Sequence, residues 1–338
     1  MSERITILGA GSWGMAVARL LDQNGRDVTL WAYDPREYYK LLQERGDSAK
    51  LPRLHLAPTI EITNDLAASV DDSDLVVLAV PAQYLRSVLR GVGSRIRPRL
   101  GVVNLAKGIE TGSLKRMSEV ILEETSVPIE RVCTLSGPSH AEEVALDMPT
   151  TVVVAGSSDH LTSRVQEIFS CLVFRVYRSS DLVGVELGGS LKNVIAIAAG
   201  IVDGLGFGDN TKGALITRGL AEMIRIGATL GAKPETFAGL SGLGDLVTTC
   251  CSRHSRNRWV GEQIGMGKKL HEILLNMSMV AEGVETTRSS YSLARHCGVE
   301  MPITAEVFHV LFDGKPPLEA IEQLMGRALK AEVWRQTD

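Results

Sequence analysis

Apolar residues are concentrated in short blocks along the first half of the chain. Seven runs rich in Val, Ile and Leu are separated by segments whose apolar positions recur every three or four residues, as in an amphipathic helix. The runs cover residues 4–11, 27–34, 74–81, 101–108, 131–139, 150–156 and 173–177. Because strands that are apolar at nearly every position are buried on both faces, this pattern predicts an α/β fold with a Rossmann-like, doubly wound, mostly parallel sheet.

The pattern changes after about residue 180. The second half has apolar segments of helical spacing, broken by glycine-rich turns such as "DGLGFGDN" and "GLSGLGD", and little that is typical of strands. A chain of 338 residues also exceeds the size of one comfortable hydrophobic core. We therefore predict two domains, a Rossmann-like domain over residues 1–180 and an all-α domain over residues 181–338.

One predicted helix of the second half contains a lysine among apolar residues. In "VELGGSLKNVIAIAAG", residues 185–200, Lys192 is followed by no further charge until Asp203. Gly188 and Gly189 precede it by four and three residues, so the three share one face of the helix. Since lysine is rarely buried without a partner, we expect a close approach to this face, with the glycines leaving room for a ligand.

Composition narrows the class of protein. The formal net charge of −4 gives no overall attraction to nucleic acid or anionic membranes, so an anionic ligand needs a local basic cluster. The five cysteines show neither metal-ligand spacing nor a C-x-x-C motif, which favours reduced thiols and no metal site. The N-terminus lacks the apolar core of a signal peptide, and no uninterrupted apolar stretch reaches the roughly 18 residues of a membrane helix. We expect a cytoplasmic protein without membrane insertion.

The turn after the first predicted strand has the glycine spacing of a dinucleotide-binding site. Gly9, Gly11 and Gly14 fit G-x-G-x-x-G between a strand and a helix, where glycines permit a tight turn, close approach of a pyrophosphate and close helix packing. The following helix N-terminus, with Ser12 and Trp13 in the turn, offers N–H groups to the anion. The spacing predicts that NAD or NADP binds here, and a purely structural turn is the alternative.

The residues after the second predicted strand leave the choice between NAD and NADP open. Asp34 lies 20 residues beyond Gly14, where an acid can bind the ribose hydroxyls of NAD, but it can equally begin a turn before Pro35. Arg36 follows at once and is suited to the 2′-phosphate of NADP.

Polar residues at other strand ends are further candidates, because ligands of open α/β sheets bind beyond the carboxyl ends of the strands. Pro81, Lys107 and the "SGPS" turn of residues 136–139 occupy such positions. Each also has an ordinary structural explanation, namely the end of a strand, an exposed lysine and a helix cap.

Two segments of the second half carry polar groups suited to chemistry. In "GLSGLGDLVTTC", glycines bracket Asp245 and Thr249 follows one helical turn later. The segment "CSRHSRNRW" combines Arg253, Arg256 and Arg258 with His, Ser and Asn and contains no acid. A short basic cluster is most often a solvated surface, but this mixture of residue types also suits a phosphate.

Together these groups indicate hydride transfer involving a small phosphorylated substrate. A carbonyl that receives hydride still needs a proton on its oxygen, and a lysine can supply it when desolvation or a neighbouring cation lowers its pKa toward neutrality. Lys192 in apolar surroundings fits that role. The alternative is that its ammonium reaches solvent or pairs with a carboxylate such as Asp245.

The motifs resemble those of the NAD(P)-dependent glycerol-3-phosphate dehydrogenases of the bacterial type. The resemblance extends over nearly the whole chain and includes "GAGSWGMA", "NLAKGIE", "LSGPSHAEEV", "LGGSLKNVIAIAAG", "GLGDLVTTC", "SRNR" and "VAEGVETT". Many dehydrogenases share the glycine turn, whereas "LGGSLKNVIAIAAG", "GLGDL" and "SRNR" in this order are much more specific.

The resemblance implies reversible reduction of dihydroxyacetone phosphate to sn-glycerol 3-phosphate, a precursor of glycerophospholipids, by a homodimer. It implies that Lys192 exchanges the proton with the substrate oxygen at C2. The residues that it implies at the substrate are Lys107, Gly137, Ser139, Lys192, Asp245, Thr249, Ser255, Arg256 and Asn257, the last three at the phosphate. Those that it implies at the cofactor are Gly9, Gly11, Ser12, Trp13, Gly14, Tyr33, Lys107, Ala141, Arg256, Val280 and Glu282.

One position departs from the family pattern. Bacterial members often carry a basic residue or histidine where this chain has Tyr33, so the resemblance slightly favours NADPH but leaves the choice between NAD and NADP open for this chain. Arg36 is a candidate to compensate.

Two other functions fit parts of the pattern. A 3-hydroxyacid dehydrogenase also joins a Rossmann domain to a helical domain and uses a glycine-rich helix bearing lysine, but it binds a carboxylate. A nucleotide-sensing regulator would bind the cofactor without chemistry, which leaves Lys107, Lys192 and Asp245 without a shared purpose.

Overall fold

The computed structural model describes residues 3–46, 49–277, 279–329 and 331–332 of the chain. Its strands are β1 (Arg4–Leu8), β2 (Asp27–Trp31), β3 (Glu61–Thr63), β4 (Leu75–Leu78), β5 (Gly101–Asn104), β6 (Val132–Ser136), β7 (Thr150–Gly156) and β8 (Phe174–Ser179). The helices of the first half are α1 (Ser12–Gln23), α2 (Pro35–Glu44), α3 (Leu66–Ser69), α4 (Ala82–Val92), α5 (Met117–Glu124), α6 (Ala141–Val144) and α7 (Asp159–Phe169). Those of the second half are α8 (Leu182–Gly204), α9 (Asp209–Thr229), α10 (Pro234–Phe237), α11 (Asp245–Cys251), α12 (Arg256–Gly265), α13 (Leu270–Leu275), α14 (Glu282–His296), α15 (Pro302–Phe312) and α16 (Pro317–Met325).

The eight strands form one sheet in the order β3-β2-β1-β4-β5-β6-β7-β8. Neighbouring strands are parallel except β6 and β7, which are antiparallel. The predicted α/β class and the mostly parallel, doubly wound sheet are thus confirmed, and so is the helical second half. The strand order reverses between β1 and β4, and ligands of such sheets bind at the carboxyl ends of the strands at this point.

Both faces of the sheet are buried, which explains the nearly continuous apolar runs. In β4, Leu75 and Val77 pack into a core layer that includes Met15 of α1. Val76 and Leu78 face the opposite layer, which includes Leu85 of α4. Successive residues of a strand point to opposite faces, so a strand between two helical layers must be apolar at every position.

The second predicted strand is shorter than its apolar run. β2 ends at Trp31, three residues before Asp34, and Asp34 is instead the N-terminal cap of α2. Its carboxylate accepts a hydrogen bond from the backbone N–H of Arg36 at 2.8 Å. Of the two interpretations of Asp34, ribose binding and a turn before Pro35, the structure agrees with the second. The carboxylate satisfies a free N–H group in the first turn of α2, as an aspartate cap does.

The central helix of the second half is α8, whose 23 residues are almost all buried. Its length and hydropathy would suit a membrane span, but its most apolar window lies wholly inside the protein. Against α12 it packs backbone to backbone: a Cβ on Gly200 would lie 1.9 Å from the carbonyl oxygen of Arg258, and one on Gly261 would lie 1.9 Å from that of Ile197. This crossing brings the segment around Lys192 and the start of α12 close together.

A buried carboxylate attaches the first turns of α8 to the Rossmann-like domain. Glu186 Oε2 accepts hydrogen bonds from Arg116 Nη1 and Ser118 Oγ, both at 2.6 Å, and Oε1 accepts one from the Ser118 backbone N–H at 2.8 Å. The Glu186 side chain is only 3% exposed and that of Arg116 is 19% exposed. Water therefore screens this ion pair little, and its partners fix α8 against the start of α5.

We expect Glu186→Ala to lower the melting temperature by about 5 °C, because removing one partner of a buried ion pair costs about 3 kcal/mol. Differential scanning calorimetry measures this shift. The matched control is Glu119→Ala, which removes a 44% exposed carboxylate lying 3.4 Å from the same arginine and should shift the melting temperature by about 1–2 °C. Equal shifts for the two variants would contradict a structural role of the buried pair.

Candidate active site

A cavity of about 430 Å³ lies where the carboxyl ends of the central strands meet the helical half of the chain. Its walls include the turn between β1 and α1, the segments after β4, β5 and β6, and residues of α8 and α12. The sheet and the helices therefore both contribute polar groups to one site, as expected at the point where the strand order reverses.

The glycine turn after β1 forms one wall of this cavity. Gly9 has φ +121°, and a Cβ there would lie 2.8 Å from the backbone carbonyl group of Ala79. Gly11 caps α1, whose first turn, with Ser12 and Trp13, also lines the cavity. The first N–H groups of a helix have no intrahelical partner and carry a partial positive charge, so this turn fits the pyrophosphate of a dinucleotide.

Three charged side chains from distant parts of the chain meet at the cavity wall, where Lys107 and Lys192 line the cavity and Asp245 lies behind them. Asp245 at the start of α11 accepts hydrogen bonds from Lys192 Nζ on Oδ1 and from Lys107 Nζ on Oδ2, both at 2.7 Å. Lys192 Nζ also donates to Thr249 Oγ1 at 2.7 Å, and Lys107 Nζ donates to the Gly137 carbonyl at 2.9 Å. Lys192 is only 6% exposed and Asp245 only 2%. The ammonium of Lys192 therefore does not extend into solvent. It pairs with Asp245, which is one of the alternatives that the sequence left open for this lysine.

The electrostatics of this cluster favour a lysine that titrates near neutrality. Burial lowers the pKa of Lys192 to about 8, because desolvation disfavours its ammonium; Asp245 opposes this shift and Lys107 adds to it. Burial raises the pKa of Asp245, but the two ammonium groups outweigh it and hold that pKa below its ordinary value. The cluster thus holds a carboxylate beside a lysine that can give up its proton.

The two glycines before Lys192 have a different use from the one expected. A Cβ on Gly189 would lie 2.6 Å from Ser136 Oγ and 3.5 Å from Cγ of Lys107. One on Gly188 would lie 2.6 Å from the carbonyl oxygen of Ser241, in the π-helical turn Leu240–Gly244 that precedes Asp245. The expectation that these glycines leave room for a ligand is wrong at both positions, because the protein's own chain fills the space and so brings Lys107 and Asp245 to Lys192.

The side chains of Asn193 and Asn257 join the parts of the site to one another. Asn193 Nδ2 donates to the Lys107 carbonyl at 3.1 Å, and Asn257 Nδ2 donates to Asn193 Oδ1 at 2.9 Å. Asn257 Oδ1 accepts from the Gly283 N–H at 2.9 Å. The Asn257 side chain is therefore occupied within the protein, whereas its backbone N–H in the first turn of α12 has no intrahelical acceptor.

The arginine cluster of residues 253–258 divides in the structure. Arg256 lines the cavity, and its Nη1 donates to the Val280 carbonyl at 2.9 Å. Arg258 instead pairs with Asp203 at 2.6 Å, and Arg253 does not line the cavity. Of the three arginines, only Arg256 is placed to contact a ligand there.

Most of the residues implied by the family resemblance meet at the cavity. Those that line it are Gly9, Gly11, Ser12, Trp13, Tyr33, Lys107, Ser139, Ala141, Lys192, Thr249, Ser255, Arg256, Asn257, Val280 and Glu282. Gly14, Gly137 and Asp245 do not line it. Gly14 supports the Gly9 turn from within α1, and Gly137 and Asp245 hold Lys107 and Lys192 from behind.

Glu282 provides an unsatisfied group in the cavity wall. Its Oε1 accepts a hydrogen bond from the Ala82 N–H at 3.0 Å, while its Oε2 is buried without a hydrogen-bond partner among the described residues. Burial raises the pKa of Glu282 to about 7. A buried polar atom without a partner is costly, so this carboxyl group fits a ligand that brings a hydrogen-bond donor.

The sequence interpretation missed several residues that line the cavity. They include Glu37 of α2, Lys50, His140 and Met279. Burial, with a smaller contribution from Lys192, lowers the pKa of His140 to about 4, so its imidazole is neutral near pH 7. His140 adjoins the "SGPS" turn and could have been found from that position, whereas nothing in the local pattern distinguishes Glu37 or Lys50.

Potential metal ligands do not cluster in the described part of the chain. Within it, no group of three or more His, Cys, Asp or Glu side chains is arranged to hold a metal ion. The cysteines are all free thiols, and burial raises the pKa of Cys250 to about 12. Thiolate ligands and thiolate nucleophiles are therefore not favoured at Cys250 near neutral pH.

Comparison with known proteins gives concordant matches over both halves of the chain. Residues 4–162 match the family model of the NAD-dependent glycerol-3-phosphate dehydrogenase N-terminus, and residues 181–322 match that of its C-terminus. Glycerol-3-phosphate dehydrogenase [NAD(P)+] of Geobacter sulfurreducens is 51% identical over 335 residues, which cover 99% of this chain and 100% of the relative. The corresponding protein of Geobacillus thermodenitrificans is 50% identical over 332 residues, with 98% and 97% covered. A crystal structure of glycerol-3-phosphate dehydrogenase from Coxiella burnetii superposes with a TM-score of 0.93 at 37% identity, covering 96% of this chain and 99% of that one.

Proposed function

The chain belongs to the NAD-dependent glycerol-3-phosphate dehydrogenase family, and from this premise we propose which of its residues carry out the reaction. It is an oxidoreductase that uses NAD or NADP to interconvert dihydroxyacetone phosphate and glycerol 3-phosphate, and the matches do not favour a 3-hydroxyacid dehydrogenase. The observation that carries the assignment of residues is the cluster of half-buried Lys107 with buried Asp245 and Lys192, at a cavity that the glycine turn also lines.

We propose that Lys192 is the general acid and base. When bound, the nicotinamide supplies the hydride that reduces C2 of the substrate. The ammonium of Lys192 donates its proton to the oxygen at C2 as negative charge develops there, and in the oxidation the neutral amine accepts that proton back. Asp245 and Thr249 orient Nζ, and Lys107 places a second positive charge beside the same oxygen.

The phosphate of the substrate is proposed to bind at the start of α12. Arg256 offers a guanidinium group from the cavity wall, and the backbone N–H groups of Arg256 and Asn257 have no intrahelical acceptor. Ser255 caps the helix through a hydrogen bond from the Arg258 N–H to its Oγ at 3.2 Å. A helix N-terminus beside an arginine suits a phosphate, since both the charge and the donor geometry are complementary.

The NAD(P) site is proposed to include the glycine turn, Trp13, Tyr33, Ala141, Val280 and Glu282. Support comes from their common position on the cavity wall and from the unpartnered Glu282 Oε2, which can accept a hydrogen bond from the cofactor. Gly14 acts indirectly here, because a Cβ at this position would lie 1.8 Å from the Gly9 carbonyl oxygen and displace the turn.

The assay that tests the function follows NADH and NADPH oxidation as dihydroxyacetone phosphate is added. We expect consumption of at least one cofactor that depends on this substrate, and weaker or no consumption with a panel of 3-oxo acids, which carry a carboxylate instead of the phosphate. Absence of turnover with both cofactors would contradict the proposed function.

We expect Arg256→Ala to raise the KM for dihydroxyacetone phosphate about tenfold or more, because a charge-assisted hydrogen bond to the phosphate is lost. Steady-state kinetics at saturating cofactor measures the change. The matched control is Arg253→Ala, which removes an exposed arginine three residues away that does not line the cavity and should leave KM within about twofold. An unchanged KM in the Arg256 variant would move the phosphate site elsewhere.

We also propose that the protein is a cytoplasmic homodimer and that it supplies sn-glycerol 3-phosphate for glycerophospholipid synthesis, which the family relationship supports. We propose further that the boundary between its two domains lies between residues 180 and 181. The end of β8 at Ser179 and the start of α8 at Leu182 support this boundary. Light scattering coupled to size-exclusion chromatography tests the dimer, and limited proteolysis tests the boundary.

A further inference from the structure

Two oppositely charged side chains face the cavity near the end of β2. Glu37 lies in the first turn of α2, Lys50 lies between α2 and β3, and their side chains form an ion pair. The Lys50 side chain is 16% exposed and that of Glu37 is 37% exposed. Both residues line the same cavity as the glycine turn.

The position of Lys50 is fixed by the glycine turn itself. Ser12 Oγ, in the first turn of α1, donates a hydrogen bond to the Lys50 carbonyl at 3.0 Å. The Lys50 backbone is therefore held beside the helix N-terminus that is proposed to bind the pyrophosphate. A side chain that starts there and lines the cavity with Trp31 and Tyr33, at the end of β2, lies where a Rossmann domain binds the adenosine ribose.

The sequence suggested Asp34 and Arg36 for distinguishing NAD from NADP, but the structure places both outside the cavity wall. Asp34 caps α2 and pairs with Arg36 at 3.4 Å. The Arg36 side chain is 92% exposed, and neither residue lines the cavity. Within the described part of the chain, Glu37 and Lys50 are the charged residues of the cavity wall near the end of β2, so they are the groups placed to discriminate at the 2′ position.

We propose that the Glu37–Lys50 ion pair sets the balance between NAD and NADP, an inference that rests on the proposed function of the cavity. Lys50 provides the positive charge that binds the 2′-phosphate of NADP. Glu37 opposes this binding in two ways, since it neutralises Lys50 in the free protein and repels the phosphate when Lys50 turns toward it. NAD binds without breaking the pair. The chain thus accepts both cofactors, and Glu37 reduces the advantage of NADP.

Binding of cofactor fragments tests the proposal without turnover. Isothermal titration calorimetry with ADP-ribose and 2′-phospho-ADP-ribose gives the ratio of the two Kd values for each variant. Glu37→Gln should shift this ratio about tenfold toward the 2′-phosphate, and Lys50→Met should shift it about tenfold the other way. Arg36→Met is the matched control, because it removes a nearby exposed cation outside the cavity, and it should change the ratio by less than about twofold.

Ionic strength provides a second measurement on the same variants. Binding of 2′-phospho-ADP-ribose should weaken with added salt more steeply in Glu37→Gln than in Lys50→Met, because only the former keeps the unpaired cation. Opposite shifts of the Kd ratio with these salt slopes support the proposal. Equal losses for both fragments in Lys50→Met, or an Arg36→Met effect as large as that of Lys50→Met, would overturn it. Failure of the dehydrogenase function would show instead as absence of dihydroxyacetone phosphate turnover, with fragment binding unaffected.

Discussion

Replacing Lys192 by methionine is expected to lower kcat for dihydroxyacetone phosphate reduction by about a thousandfold, while NADH and NADPH still bind. Methionine fills a similar volume and has no proton to give, so the alkoxide that develops at C2 loses its proton donor. The side chain is buried against Asp245 and Thr249, and the other lysines that line the cavity within the described residues are Lys107 and Lys50. Single-turnover kinetics for kcat and fluorescence titration for cofactor binding separate the two effects.

The matched control for this variant is a lysine in a comparable ion pair outside the cavity. Lys315 pairs with Glu306 at 2.6 Å, and both side chains are 14% exposed. Lys315→Met should lower stability by a similar amount but leave kcat within about twofold. If Lys192→Met kept near-normal kcat, the proton-transfer role would be wrong. If both variants lost kcat equally, general destabilisation would account for the loss.

The pH dependence of the unmodified protein provides an independent check of the same role. Reduction needs Lys192 protonated, so its kcat/KM should fall as pH rises through the lysine pKa, which burial lowers to about 8. Oxidation needs the neutral amine, so its kcat/KM should rise over the same range. These opposite slopes should both disappear in Lys192→Met.

The fold was predictable mainly where burial imposes a pattern on consecutive residues. Strands such as β4 are apolar at every position because two helical layers cover them. Such a strand can therefore be recognised in the sequence as a continuous apolar run. β3 was missed because it has three residues, only one of them buried. The antiparallel direction of β7 was not predictable either, since a strand buried on both faces has the same apolar pattern in both directions.

The site was predictable where local motifs bring its residues together, and unpredictable where distant residues meet. The glycine turn and the start of α12 are contiguous segments, so spacing and residue type indicated them. Lys107 and Asp245 are in contact although 138 positions separate them in sequence. Arg258 belongs to the arginine cluster of residues 253–258, a segment without acidic residues, but it pairs with the distant Asp203 and so does not reach the cavity. Only the packing of α8 against its neighbours determines which charged groups meet there.

The second large effect is expected for Asp245→Asn, which keeps the shape of the side chain but removes the charge between two lysines. We expect kcat to fall about a hundredfold, because the Lys107 and Lys192 ammonium groups would then repel each other in a buried site. Asp245 raises the pKa of Lys192, so its loss should lower that pKa further. The pH at which reduction declines should therefore move to lower values, which a pH profile of kcat/KM measures.

A second aspartate in the chain gives this prediction a close control. Asp203 also bridges two cations, with Oδ1 2.5 Å from Lys212 Nζ and Oδ2 2.6 Å from Arg258 Nη2, but it lies outside the cavity wall. Asp203→Asn should reduce stability without moving the pH profile, because neither of its partners exchanges protons with the substrate. A shifted profile in Asp245→Asn alone would assign the control of the Lys192 pKa to its carboxylate. An unshifted profile would mean that Asp245 only holds the two lysines in place and that burial and Lys107 set the pKa at which Lys192 works.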